Sequence, residues 1–213
     1  GKYNLIENSE YSYTATKPEY VAKSESFIAS SADIIIGLEK SAENISIKDL
    51  PSSWAKFRGD DTNNCVLNLK TPKTADETVL YWATKKGNGW DSGAIGSPII
   101  VDDYLVFCSG QKLYKMNRFN GEILEQTGDM VAASSFNIVP PMYADGKIFV
   151  ALSGGIIQAF NADTLESLWV FTDKLGGQPN CPLAYKNGYV YTGFWNAETG
   201  KYANFVCVSA TDE

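Results

Sequence analysis

The chain has 213 residues, enough to bury a sizeable hydrophobic core. Its 18 Lys and Arg residues against 25 Asp and Glu residues give a formal net charge of −7. Because such a charge offers no attractive field to phosphates, no nucleic-acid partner is expected. No run of about 18 apolar residues occurs, so no membrane insertion is expected either.

The chain contains no histidine, and its cysteines show no C-x-x-C spacing. Histidine is the commonest ligand of zinc and haem sites and the usual base that activates a serine or cysteine nucleophile. We therefore predict neither catalytic residues of these kinds nor a metal site. The four cysteines are Cys65, Cys108, Cys181 and Cys207.

Residues 1–53 are predicted to form a β-rich segment. Tyr11–Thr14 and Ile45–Ile47 alternate with the period of two that is typical of strands, and Asp33–Gly37 contains a short apolar run. Two arrangements fit this pattern: a small attached sandwich-like domain, or strands that pair with the rest of the chain. The expected junction is Pro51–Ser53, and the second part of the chain is 54–213.

From residue 97 onward the sequence repeats itself. Pro98, Pro141 and Pro182 begin corresponding apolar runs and stand 43 and 41 residues apart. Self-similarity at this spacing indicates a repeat architecture. The copies lie near 97–130, 139–172 and 181–213.

Each copy contains short β-rich runs joined by a tight turn, at Asp102–Asp103, Asp145–Gly146 and Asn187–Gly188. Asp, Asn and Gly tolerate the positive φ of a two-residue hairpin, so each copy is predicted to be an antiparallel meander of strands. One small sheet cannot bury both of its faces. The copies must therefore stack on one another, as propeller blades do.

The repeat resembles the PQQ-like, quinoprotein-type β-propeller family over roughly residues 54–213. Blades of that family carry a proline-led inner strand, a D-G hairpin, a turn of the form A-x-D-x-x-T-G and an outer strand bearing Trp. Ala159–Thr164 with Trp169 match this pattern in the second copy, and Lys115–Asn117 with Asn120–Gly121 match it in the first. The resemblance implies an all-β fold of four-stranded antiparallel blades, preceded by a small N-terminal β segment.

Two upstream segments extend the resemblance, and two positions depart from it. Trp54–Gly59 is similar to the W-x-x-F-R-G segment of the family, and Val79–Trp82 is similar to an outer strand that precedes the first inner strand. Glu125 stands where the outer Trp of the first copy is expected. Leu165 stands where the turn glycine of the second copy is expected.

Three blades do not close a ring, which in this family generally contains seven or eight. We therefore expect a partial propeller of about three blades. Its missing blades are expected to come from the rest of a longer chain or from self-association, because open sheet edges accept further strands readily. The sequence ends inside the turn of the third copy, and both routes fit that ending.

Two cysteines fall inside predicted strands. Cys108 and Cys207 correspond to Ala151 and Ala159 of the second copy. Both are therefore predicted to be small buried side chains. Nothing in their spacing supports a disulfide.

The loops at one face of a propeller gather around its axis, and a ligand site is expected there. Trp90–Asp91 and Trp195–Asn196 combine an aromatic ring with a polar neighbour. This combination suits sugars or peptides, because the ring stacks on C–H groups while the polar group binds hydroxyls or amides. Packing of both tryptophans between blades is the alternative, and it is the more common use of aromatic residues. The candidate ligand-binding residues are Trp90, Asp91, Ser134, Asn137, Gln178, Asn180, Trp195 and Asn196.

The family name raises the question of a quinone cofactor. Quinone-dependent dehydrogenases of this family carry a catalytic Asp, a calcium ion held by Glu, Asn and Asp, a stacking Trp and two adjacent cysteines. No two cysteines of this chain are adjacent. We therefore expect no cofactor, since one fold hosts many functions.

The leading hypothesis is a non-catalytic, secreted or cell-surface module that binds proteins or glycans. Similar members of the family act as assembly scaffolds in bacterial envelopes, and no signal segment is visible at the start of this sequence. One alternative is a quinone-dependent oxidoreductase. Another is a fragment of a carbohydrate-active enzyme, with Asp91 and Glu198 as paired carboxylates.

Overall fold

A computed structural model describes residues 4–17, 20, 22–30, 33–39, 53–63, 65–66, 72–86, 95–133 and 139–211. The chain packs as two compact units. One comprises the described parts of Gly1–Leu50 and Leu67–Ala83, and the other those of Pro51–Val66 and Thr84–Glu213. Strands dominate, and helical structure in these residues is limited to a 3-10 turn, Ala75–Glu77, and one α-helical turn, α1 (Ala197–Gly200).

The first unit contains an antiparallel hairpin of β1 (Glu10–Ala15) and β2 (Lys23–Ile28). One face of this hairpin is aromatic, because the ring centroids of Tyr11 and Tyr13 lie 6.1 and 6.2 Å from that of Phe27. Cross-strand aromatic contacts of this kind stabilise a strand pair. The strand predicted at Tyr11–Thr14 is therefore confirmed.

Two other strands predicted from the sequence are wrong. Asp33–Gly37 forms no strand, and the Ile35 side chain within it is 93% exposed. Val79–Trp82 forms no strand either. An apolar run becomes a strand only where a neighbouring strand accepts its backbone hydrogen bonds, and no described strand pairs with these runs. The strand predicted at Ile45–Ile47 lies outside the described residues.

The second unit consists of three antiparallel sheets, and β3 (Ser53–Trp54) pairs with the inner strand of the first. The first sheet contains β4 (Ile99–Val101), β5 (Tyr104–Ser109), β6 (Lys112–Asn117) and β7 (Ile123–Gln126). The second contains β8 (Met142–Ala144), β9 (Lys147–Leu152), β10 (Ile156–Asn161) and β11 (Ser167–Thr172). The third contains β12 (Gln178–Pro179), β13 (Ala184–Lys186), β14 (Tyr189–Asn196) and β15 (Tyr202–Ser209).

The first hairpin of each blade turns where the sequence predicts. Asp102, Asp145 and Asn187 have positive φ angles of 49°, 47° and 51°. Asp and Asn adopt this left-handed conformation at lower cost than most residues. The turn residues therefore set the register of the strands on either side, as in Ile100 paired with Leu105.

The first and second blades stack through an apolar layer. Ile99, Val106 and Leu113 of the first blade form one buried cluster with Ile148 and Val150 of the second. Burial of such side chains contributes about 1.5–3 kcal/mol each relative to exposure. The contact therefore buries one apolar face of each of the two sheets.

The second and third blades repeat this contact in the same register. Met142 pairs with Phe149 across the β8–β9 ladder, as Ile99 pairs with Val106 in the first blade. Together with Ile157, these second-blade residues are buried against the third blade. Corresponding positions of successive copies thus perform the same packing role.

The outer strands confirm the alignment of the copies. In each of the first two blades a β-bulge interrupts the outer ladder at the same place, where Glu125 faces Lys115 and Trp169 faces Ala159. Glu125 therefore stands in the position of the outer Trp. Trp169 packs on Phe149 of the same blade, with ring centroids 5.8 Å apart.

Lys115 adds a polar contact to the apolar layer between the first two blades. Its buried Nζ donates a hydrogen bond to the carbonyl oxygen of Asp163, 3.0 Å away, and lies 4.3 Å from the ring centroid of Tyr104. A buried ammonium group requires such oxygen and aromatic partners, because it has lost its water. The first copy therefore contacts the second through a cation.

Leu165 occupies a backbone position that favours glycine. Its φ is 54°, and its N–H donates to the carbonyl oxygen of Asn161, 2.9 Å away. Gly121 has φ 73° and makes the equivalent bond to Asn117. The left-handed conformation costs a leucine about 1–2 kcal/mol. Burial of the Leu165 side chain in the layer between the first two blades offsets that cost.

Replacing Ile157 by Ala is expected to lower the free energy of unfolding by about 2–5 kcal/mol, because it leaves a cavity between the second and third blades. Leu168→Ala, on the exposed side of β11, is the control and is expected to change it by about 0.5 kcal/mol. Urea unfolding followed by tryptophan fluorescence measures both values. Equal effects of the two substitutions would contradict the stacking contact.

Candidate functional site

The inner strand of the third blade is interrupted, and the interruption shapes the candidate site. Gln178 pairs with Trp195 on β14, whereas Ala184 pairs with Tyr191 further along the same strand. The chain between these pairings bulges away from the ladder, as bulges beside functional sites often do. Asn180 lies in this bulge and is exposed.

Trp195 lies at the end of a strand, not in the loop where the sequence placed it. Strand β14 continues to Asn196, and α1 then connects it to β15. Alternation along the strand buries Phe194 completely and leaves Trp195 51% exposed. About half of the Trp195 surface is therefore available at the rim of the blade.

A hydrogen bond positions Gln178 beside Trp195. The Ser153 hydroxyl donates to Oε1 of Gln178 at 2.8 Å. Ser153 belongs to the turn between β9 and β10, so the second blade fixes a side chain of the third. With its oxygen engaged, the Gln178 amide has two N–H donors that can be directed elsewhere.

Glycines allow the turn between β9 and β10 to approach the loop before β12 closely, at a contact here called the glycine crossing. The N–H groups of Gly154 and Gly155 both donate to the carbonyl oxygen of Gly177, at 2.7 and 3.0 Å. A Cβ at Gly155 would lie 2.7 Å from the carbonyl oxygen of Gly176, and one at Gly177 would lie 2.9 Å from that of Trp195. Both contacts are too short for any side chain, so the crossing depends on glycine.

A second set of bonds ties the loop before Gln178 to the third blade. Asn204 Nδ2 donates to Oδ2 of Asp173 at 2.6 Å, and the Glu198 N–H donates to the carbonyl oxygen of Leu175 at 2.8 Å. The short charge-assisted bond to Asp173 belongs to the stronger class of hydrogen bonds. The loop before Gln178 is thus bonded both to the second blade, through Gly177, and to the third.

The structure brings together part of the set predicted from the sequence. Gln178, Trp195 and Asn196 are adjacent, and Asn180 lies two residues from Gln178. Ser153 was not predicted, although the Ser-Gly-Gly run in the sequence signalled a turn there. The remaining predicted residues Trp90, Asp91, Ser134 and Asn137 lie outside the described residues. The predicted pairing of the Asp91 and Glu198 carboxylates therefore stays a prediction.

The cysteines divide by environment, and all four are free thiols. Cys108 is fully buried as predicted, and burial raises the pKa of its thiol to about 12. The prediction that Cys207 is buried is wrong, because it is exposed. Cys207 faces Tyr191 and lies on the side of β15 opposite the core, where no described strand packs over it.

Comparison with known proteins gave matches to solved structures alone: no protein-family model and no curated protein matches the chain. A quinohemoprotein alcohol dehydrogenase from Pseudomonas putida superposes with a TM-score of 0.59 at 18% identity, over 76% of this chain and 26% of that one. A europium-containing methanol dehydrogenase gives 0.57 at 17%, over 78% and 31%. A quinohemoprotein alcohol dehydrogenase from Comamonas testosteroni gives 0.55 at 14%, over 78% and 26%.

The chain has the fold of a quinoprotein-type β-propeller. The all-β fold class and the PQQ-like resemblance predicted from the repeat are therefore confirmed. At these identities the likeness concerns the fold, and this PQQ-like chain spans about a quarter to a third of the length of the solved structures it matches.

The expectation of no quinone cofactor stays a prediction. Calcium takes six to eight oxygen ligands, largely from carboxylates. Among the described residues no group of three His, Cys, Asp or Glu side chains is placed to hold a metal ion. The four free cysteines are also not adjacent in sequence. None of the helices in this part of the chain is long and apolar enough to cross a membrane.

Alkylation of the folded protein with iodoacetamide at pH 8 is expected to modify Cys207 and Cys65 and to spare Cys108. The thiolate is the reactive form, and Cys108 combines complete burial with a pKa of about 12. Peptide mass spectrometry measures each site, with urea-unfolded protein as the control in which all sites react. Labelling of Cys108 as fast as Cys207 would contradict the packing of the first blade.

The same thiol predicts a loss of stability at high pH. Its pKa in the folded chain lies above the ordinary value of 9.0, so ionisation favours the unfolded chain. The contribution is complete below pH 9 and declines as the pH rises from about 9 toward 12. Urea unfolding of the wild type and of Cys108→Ala across this range measures it, and parallel pH profiles would contradict it.

Proposed function

We propose that the chain is a non-catalytic, secreted or cell-surface propeller module that binds a protein or glycan. The proposed binding surface is the rim around Trp195, formed by Gln178, Asn180, Trp195 and Asn196. The observation that carries this proposal is a half-exposed indole beside an amide held in place from the neighbouring blade. Gln178 is bonded to Ser153, and the glycine crossing fixes Gly177, the residue immediately before it. A preorganised site of this kind loses less entropy when a ligand binds.

The chemistry of the rim favours sugars or peptides. An indole face stacks on the C–H groups of a sugar ring or on an apolar side chain. Amide groups of Gln178, Asn180 and Asn196 can donate to and accept from hydroxyls and peptide groups at its edge. The residues predicted at the same face, among them Trp90 and Asp91, would extend the surface.

Absence of histidine from the sequence supports binding rather than catalysis, because most nucleophile and base pairs use it. An alternative function is that of a quinone-dependent oxidoreductase. Three of the superposed structures are alcohol or methanol dehydrogenases, and this chain covers 26–31% of their full chains. The absence of two adjacent cysteines from the sequence favours the binding module. The location outside the cytoplasm rests on the resemblance to envelope scaffolds.

The far side of the third blade supports a partner that completes the propeller. Phe205 occupies the position of Ile157, and Cys207 that of Ala159, since each pairs with the corresponding residue of the preceding strand. Both second-blade residues are fully buried, whereas Phe205 is 74% exposed. A further blade-like sheet, supplied by a longer chain or a second copy, would cover this face.

Trp195→Ala is expected to lower the affinity for the ligand at least tenfold, because stacking on an aromatic anchor contributes about 2 kcal/mol or more at a binding hot spot. Screening of a glycan array and a peptide array with the wild-type protein identifies the ligand, and titration of the best probe gives the affinity. Gln178→Ala is expected to weaken binding of the same probe.

Leu168→Ala is the control, since Leu168 is a similarly exposed apolar residue on β11, away from the rim. It is expected to bind as the wild type does. Unchanged binding by Trp195→Ala, with a probe that the wild type binds, would refute the role of the rim. Quinone-dependent alcohol oxidation by the protein would favour the alternative function.

A further inference from the structure

A cavity of about 320 Å³ lies between the segment that follows β3 and the inner strand of the third blade. It shares no residue with the rim around Trp195. Its volume falls at the lower end of the range found for small-molecule sites. Lys56, Phe57, Arg58 and Asn63 line one side, and Pro182 and Leu183 line the other.

Lys56 brings a largely buried positive charge to this cavity. Its side chain is 13% exposed, and its Nζ lies 2.7 Å from Oδ1 of Asp61. An ammonium group has three N–H donors, so one carboxylate does not use them all. Withdrawn from water in this way, a cation interacts more strongly with an anion that enters the cavity.

The neighbouring carboxylates already have partners. Asp60 accepts hydrogen bonds from the N–H and the hydroxyl of Thr62, at 2.8 and 2.6 Å, and the hydroxyl bond lowers the pKa of Asp60. The hydrogen bond from Lys56 lowers the pKa of Asp61 in the same manner. Within the described residues, no ion pair engages Arg58, whose guanidinium lies 5.8 Å from the ring centroid of Phe57.

The backbone holds Arg58 in an uncommon conformation. The Gly59 N–H donates to the carbonyl oxygen of Lys56 at 3.0 Å and closes a four-residue turn in which Arg58 has φ 64°. Glycine or asparagine is favoured at this third position. Arginine costs about 1–2 kcal/mol there. Strain of this kind concentrates at sites where a side chain is needed for function.

We propose that this cavity binds the carboxylate of an amphipathic molecule. The planar guanidinium of Arg58 matches a carboxylate with two parallel hydrogen bonds, and Lys56 adds charge. Phe57, Pro182 and Leu183 form an apolar wall that receives the body of the ligand. The wall favours an organic acid over a free inorganic anion, and both a peptide C-terminus and an aliphatic acid present this chemistry.

Isothermal titration calorimetry with two probes tests the proposal: N-acetyl-phenylalaninate represents a peptide C-terminus, and octanoate represents an aliphatic acid. Both are expected to bind, and the tighter one identifies the source. N-acetyl-phenylalanine amide, which lacks the charge, is expected to bind at least tenfold more weakly. Inorganic phosphate is also expected to bind more weakly than either acid.

Arg58→Asn isolates the guanidinium, because Asn tolerates the left-handed conformation and the fold should remain intact. Its affinity for the tighter acid is expected to fall about 10- to 100-fold, the range for a charge-assisted hydrogen bond. Lys201→Gln, an exposed lysine outside the cavity, is the control and should bind as the wild type does.

Three results would overturn the proposal. The first is equal affinity of the wild type and Arg58→Asn for the acids. The second is equal affinity for N-acetyl-phenylalaninate and its amide. The third is the absence of binding of either acid at millimolar concentration. Because none of these residues belongs to the rim, Trp195→Ala should leave the affinity for the acids unchanged, and this separates the two sites.

Discussion

The fold depends on stacking of one β-sheet against the next. A four-stranded antiparallel sheet built from apolar residues on both faces cannot satisfy either face alone. On one face of the second blade the side chains of Phe149, Ile157 and Ala159 are buried against the third blade. On the other face those of Val150 and Leu152 are buried against the first. The middle blade is therefore covered by a neighbouring blade on each face.

Because the blades repeat one packing contact, single departures from the family pattern are tolerated where the apolar layer between the blades is kept. Glu125 replaces the outer Trp in the first blade, and Lys115 contacts the second blade through Asp163 instead. Leu165 replaces a turn glycine, and its burial offsets the backbone cost. The rim around Trp195 also depends on stacking, because Ser153 of one blade positions Gln178 of the next.

The repeat, its turns and its register could be predicted because each is encoded locally, by residues such as Asp145–Gly146 and Asn187–Gly188 and by the period of two. The wrong predictions concern features set by distant partners. Asp33–Gly37 has the composition of a strand and lacks a pairing strand among the described residues, and Cys207 matches Ala159 and lacks a covering sheet. The bond from Ser153 to Gln178 joins residues 25 positions apart, which no local pattern encodes.

Light scattering of the purified 213-residue chain tests the central claim, that an exposed apolar blade face binds a further sheet. Because the third blade exposes Phe205 where the second buries Ile157, the chain alone should associate, with a mass above 23.3 kDa that rises with concentration. The substitution Phe205→Lys places a charge on that face and should lower the measured mass to that of one chain. A mass of 23.3 kDa at every concentration for the wild type would contradict the account.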